Sequence, residues 1–129
     1  MKRIIIATFA FMLCVYAGAQ EQRVATQTMQ QVKIEEFKIV KDEIVDGVRV
    51  VCATPSEKVC SKQIDIKIKD GIIQEVKFTR GCPGNALGIG ALIKDMTVEE
   101  AVKRLDGIQC GNRGTSCPDQ LADVLKALK

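Results

Sequence analysis

The clearest pattern along the chain is the alternation of Ile64, Ile66 and Ile68 with Asp65, Lys67 and Lys69. A period of two puts the isoleucines on one face of a strand and the charges on the other. Asp70-Gly71 follows, and Ile73, Val76 and Phe78 then continue the apolar series. Asp-Gly supplies the positive φ angles of a tight turn, so the pattern predicts a β-hairpin, with strands over 62–69 and 72–79 and one buried face. Upstream, the β-branched stretch Gly47 to Cys52 lies between Asp46-Gly47 and Thr54-Pro55-Ser56, and predicts a strand over 47–52 that ends in a loop. Val32 to Val40 alternates only in part and fits a strand or a short amphipathic helix.

Helical spacing takes over downstream. Gly81-Cys82-Pro83-Gly84-Asn85 punctuates the end of the hairpin, and Leu87, Ala91 and Leu92 mark the apolar positions of a helix over 84–94. Gly88 and Gly90 weaken that helix and predict close packing against the sheet. Thr97 and Glu100 form a capping box for a helix over 98–105, which Asp106-Gly107 stops. Ser116 to Pro118 opens a last helix over 117–128, carrying Leu121, Val124, Leu125 and Leu128. Strands first and helices second define an α+β fold, with an antiparallel sheet and its central hairpin packed against three C-terminal helices.

The N-terminus has a different character. Met1-Lys2-Arg3 is basic, Ile4 to Tyr16 is an apolar run of 13 residues, and Ala17-Gly18-Ala19 is a small-residue cleavage site. This is the layout of a secretory signal over 1–19, cleaved before Gln20. The run is short of the roughly 20 residues of a membrane span, which weighs against a permanent anchor. Leu13 before Cys14 is bulky where a lipidation site takes a small residue. Residues 20–31, rich in Gln, read as a flexible leader to a single domain over 32–129. The expected location is therefore outside the cytoplasm, in a periplasm or secreted.

With 129 residues the chain has room for one domain. Nineteen basic against 16 acidic residues give no field that marks a nucleic-acid partner, and loss of Lys2 and Arg3 leaves 17 against 16. Lys67, Lys69, Lys77 and Arg80 make the hairpin basic, but alternation sends Lys67 and Lys69 to a solvated face. The glycines of 81–90 lack a following Gly-Lys-Ser/Thr and a βαβ setting, so they are not a phosphate loop. The absence of His and Trp removes the commonest general base and the best stacking surface, and leaves chemistry to Cys, carboxylates or Lys.

Five cysteines remain after the signal, at Cys52, Cys60, Cys82, Cys110 and Cys117, each in a loop or at an element boundary. That placement favours a common site over five separate core residues. Cys82 and Cys117 both precede Pro at a helix start, where free N–H groups and the macrodipole favour a thiolate. If those starts converge on the strand end holding Cys60, four sulfurs can close a tetrahedral zinc site. The wide gaps give no zinc-finger spacing, and six residues separate Cys110 from Cys117. Disulfide stapling in an oxidising compartment is the competing reading, as is a reversible Cys110–Cys117 redox pair. Cys52 reads as a half-buried strand residue first and as a ligand second.

Thr115-Ser116-Cys117-Pro118-Asp119 resembles the signature of the TSCPD domain family, and Gly81-Cys82-Pro83-Gly84-Asn85 with Cys110-Gly111-Asn112 resembles its other conspicuous segments, from about Cys60 onward. The resemblance implies a four-cysteine module in which Cys60, Cys82, Cys110 and Cys117 bind metal: zinc, or in second place an iron–sulfur cluster. It also implies a link to cobalamin-dependent ribonucleoside-diphosphate reductase and deoxyribonucleotide synthesis. A chain of this size cannot house that reaction, so cobalamin would belong to a reductase partner and the chain would be an accessory. The order of cysteine, hairpin, Gly-Cys-Pro-Gly and helices is similar to the U-type iron–sulfur scaffold proteins as well, which implies their fold. Ser61-Lys62 stands where those scaffolds carry Gly-Asp, and no chaperone-docking segment precedes Cys117.

Overall fold

A computed structural model describes residues 37–129. The signal, the leader, Cys14 and residues 32–36 lie outside the described residues. Four strands come first: β1 Lys38–Val45, β2 Val48–Thr54, β3 Gln63–Lys69 and β4 Ile72–Thr79. Three helices follow: α1 Pro83–Ile93, α2 Val98–Leu105 and α3 Cys117–Ala127. The strands form one antiparallel sheet in the order β1-β2-β3-β4, so each pairs with its neighbour in sequence. This is the α+β layout that the pattern predicts, with the hairpin strands and helix limits within a residue or two of expectation.

Asp-Gly makes both tight turns. Asp46 and Gly47 have φ of 51° and 77°, and Asp70 and Gly71 have 51° and 75°, the two positive values of a type I′ turn. The first pair therefore joins β1 to β2 instead of merely starting β2. The sequence pattern did not resolve β1 as a strand, for a physical reason. Every residue from Val40 to Val45 is exposed on this edge strand, and the register slips between Ile39 and Lys41, so burial imposes no clean alternation.

A second slip explains the spacing in β4. Ile66 faces Val76 while Ile68 faces Ile73, which leaves Gln74 as an extra residue. Because of that bulge, Ile73 and Val76 both reach the core although three positions separate them. They join Val51, Ala53, Ile64, Ile66 and Ile68 on the helix-facing side of the sheet. The opposite side is polar: Lys41 pairs with Glu43 at 2.6 Å, and Glu75 bridges Lys67 and Lys77, each at 2.7 Å. Cys52 lies half-buried in β2, opposite Lys41 and Asp65.

The helices cover the core side unequally. In α2, Val98, Ala101 and Leu105 turn inward, and Glu100 pairs outward with Arg104 at 2.7 Å. Thr97 Oγ1 accepts from Glu100 N at 3.2 Å, so the main-chain half of the predicted capping box is present. Every residue of α3 from Pro118 to Leu125 is buried, which makes it the central helix. Arg49 anchors its far end by donating to the Leu128 carbonyl at 2.6 Å while gripping the Asp42 carboxylate with two further bonds.

In α1 the expected face is not the buried one. Leu87 and Leu92 are 75% and 73% exposed, and Ala91 is exposed too. Ile93 is buried and Ile89 packs against the core. Gly90 explains the choice. A Cβ there would lie 2.7 Å from the Val76 carbonyl oxygen, so the helix backbone rests directly on β4 and the glycine side becomes the inner side. Among the described residues, no helix is long and apolar enough to cross a membrane.

Candidate functional site: a four-cysteine corner

Four segments meet at the end of the sheet where β2 leads into β3 and β4 leads into α1. Cys60 lies in the β2–β3 loop, Cys82 is the N-cap of α1, Cys110 sits in the α2–α3 loop, and Cys117 is the first residue of α3. Cys60, Cys82 and Cys110 are exposed and Cys117 is half-buried; all five described cysteines are free thiols.

The sheet brings Cys60 and Cys82 together. Lys62 N donates to the Thr79 carbonyl at 2.8 Å, which aligns the entry to β3 with the exit from β4. Gly81, at φ +96°, carries the chain past the loop so closely that an added Cβ would be 3.6 Å from Ser61 N and 3.8 Å from Cys60 Cβ. Only glycine takes that backbone without strain. Cys82 and Cys117 then line one small cavity with Ser61, Arg80, Gly81 and Asn85.

A buried polar network holds the other two segments. The Asp119 carboxylate accepts from Gly107 N at 2.7 Å and from the Thr115 hydroxyl at 2.8 Å. Gln120 donates to Thr115 Oγ1 at 3.1 Å and accepts from Ser56 N at 2.9 Å. Ser116 caps α3 by accepting from Asp119 N at 3.2 Å and donates to the Ile108 carbonyl at 2.6 Å. These polar side chains are buried, and each bond ties a loop that carries a cysteine to the start of α3. The residues beside Cys117 in the signature thus clamp the corner.

Two contacts touch sulfur directly. The Ser61 hydroxyl donates to Cys117 Sγ at 3.2 Å, and Arg113 Nη1 donates to Cys60 Sγ at 3.0 Å. Arg113 reaches Cys60 from the Cys110–Cys117 loop, in which Gly111 and Gly114 turn at φ of 58° and 75° and Cys110 N donates to the Thr115 carbonyl at 3.3 Å. The hydrogen bond to Cys60 raises the guanidinium pKa above its ordinary range, and the charge of Cys60, then Cys110, then Cys117 adds to it through space. Of the three, only Cys60 is in hydrogen-bond contact with the guanidinium. Cys52 is elsewhere, on the outer face of the sheet, where burial first and Asp65 second push its thiol pKa up.

Sulfur, a soft donor in four copies, suits zinc or an iron–sulfur cluster, and the loops and helix starts collect the donors at one corner. As the side chains stand, no three His, Cys, Asp or Glu among the described residues form a group that could hold a metal ion. The donor chemistry fits a metal; a closed shell needs the exposed cysteine side chains to turn inward. The sequence pattern pointed to the four cysteines but not to Ser61, Arg113, Asp119 or Gln120. The signal for the last two was present, as a polar pair inside an otherwise apolar helix start.

A family model described as the TSCPD domain matches residues 26–129. The chain belongs to that family, and the match reaches further toward the N-terminus than the motif-bearing stretch from Cys60. No curated protein and no solved structure matches the chain.

Proposed function

We propose that this TSCPD domain is a metal-binding module in which Cys60, Cys82, Cys110 and Cys117 ligate zinc, with an iron–sulfur cluster as the second candidate occupant. The observation that carries the reading is a chain of contacts: Arg113 of the Cys110–Cys117 loop donates to Cys60 Sγ at 3.0 Å, Ser61 beside Cys60 donates to Cys117 Sγ at 3.2 Å, and Cys82 shares a cavity with Cys117. Cys82 and Cys117 stand at the starts of α1 and α3, so two of the four sulfurs are carried on the ends of regular elements. Bound zinc would have a structural role, cross-linking the β2–β3 loop, α1 and α3. The family likeness supports a place beside ribonucleoside-diphosphate reductase as an accessory, with cobalamin belonging to that enzyme. The basic start, apolar run and small-residue site of the N-terminus support export of the chain.

Elemental analysis with thiol counting on mature protein purified from its native compartment tests the reading. About one zinc per chain is expected, with the four thiols shielded from a thiol reagent until a chelator is added. Protein that is free of zinc and iron and carries disulfides among these cysteines would overturn it, in favour of an exported disulfide-stapled or thiol-redox protein.

A further inference from the structure

Arg113 is exposed and far in sequence from Cys60, yet its Nη1 lies 3.0 Å from that sulfur, 53 positions away. An exposed side chain of this length has much rotamer freedom to lose, so a contact at hydrogen-bond distance marks a specific attraction. The loop is built for it: Gly111 and Gly114, both at positive φ, bracket Asn112 and Arg113, and Arg113 N donates to the Cys110 carbonyl at 3.4 Å. Arg80 also lines the small cavity shared by Cys82 and Cys117.

Charge gives this arrangement a purpose. Zinc(II) held by four thiolates is a dianion, and a dianion at a protein surface is stabilised by nearby cations and by N–H groups that donate to sulfur. One N–H donation uses a single lone pair of a thiolate, so Cys60 can accept from Arg113 and bind metal at once. We infer that Arg113 is a positioning residue of the metal site, orienting Cys60 Sγ and offsetting the charge of the four-thiolate centre. This inference rests on the proposed metal reading. It adds a residue that the cysteine pattern does not contain.

The test compares wild type, Arg113→Ala and Arg113→Lys by competition for zinc against a chromophoric chelator. Alanine is expected to weaken zinc binding by about 10–100-fold, and lysine to recover part of the loss, because it restores charge but not the planar fork. In the cobalt-loaded proteins, losing the N–H donor should move the thiolate-to-cobalt charge-transfer band to lower energy in the alanine variant. Thermal unfolding of the metal-free proteins should coincide, since Arg113 is exposed. Zinc affinity of Arg113→Ala within about two-fold of wild type, with no band shift, overturns the inference and leaves the metal reading standing. Failure of wild type itself to bind zinc removes both. If the alanine variant does not fold, wild-type affinity in Arg113→Lys overturns the need for a fork at this position.

Discussion

The hydroxyl of Ser61 donates to the sulfur of Cys117 at 3.2 Å and joins residues 56 positions apart. Ser61 is 1% exposed, so its oxygen has no water to fall back on. Ser61→Ala is expected to cost about 1 kcal/mol in urea unfolding, the net value of one such bond. An unchanged midpoint would show that the contact does no work in the metal-free fold.

Asp119 takes a larger share, because its buried carboxylate receives both Gly107 N and the Thr115 hydroxyl. Asp119→Ala should destabilise the domain by about 2–4 kcal/mol, with the amides of the α2–α3 loop losing hydrogen-exchange protection before those of β3. Equal loss across loop and sheet would mean that the clamp is not local.

Two glycines of α1 should respond with opposite signs to the same change. Gly88→Ala meets nothing within 4 Å and should gain up to about 1 kcal/mol from helix propensity. Gly90→Ala drives a methyl to 2.7 Å from the Val76 carbonyl oxygen, a backbone atom that cannot swing aside. A loss of about 1–3 kcal/mol is expected, and thermal unfolding of the pair provides the comparison.

On the outer face, Glu75 sits between Lys67 and Lys77, whose hydrogen bonds lower its pKa to about 2. A depressed carboxylate contributes stability above its unfolded pKa, near 4.5, and loses it as pH falls through about 2. The stability gap between wild type and Glu75→Gln should therefore be present at pH 7 and close between those two values. Its size should be small, as for other exposed pairs, and should shrink in salt.

In the folded, metal-free protein, Cys52 should be the slowest of the described thiols to alkylate. Burial disfavours its thiolate, and the Asp65 carboxylate opposes it further, whereas Cys60, Cys82 and Cys110 are exposed. Mass spectrometry of a timed iodoacetamide reaction at mildly alkaline pH reads the order directly. Reaction of Cys52 ahead of Cys60 would contradict it.

The hairpin of β3 and β4 was legible because burial on one face enforces alternation, and Asp70-Gly71 can scarcely be anything but a turn. β1 was not, because an exposed edge strand with a slipped register leaves no period to read. The inner face of α1 was misjudged for a related reason: hydrophobic residues suggested Leu87 and Leu92, but backbone contact at Gly90 decided the face. At the corner, the cysteines were visible as a residue type at element boundaries. Arg113 and Ser61 were not, because their role depends on contacts that join positions 53 and 56 apart, which no local pattern encodes.

The order of the sheet also bears on how the chain reaches this state. Four strands paired only with their sequence neighbours can zip from nearby residues, while the cysteine corner waits for α3 to dock on loops more than 50 positions away. Cys60 and Cys82 therefore join the nearby Cys110 and Cys117 only once the sheet exists and α3 has docked. Pulsed alkylation during refolding would register this as protection of the half-buried Cys117 that lags behind amide protection in β2–β4.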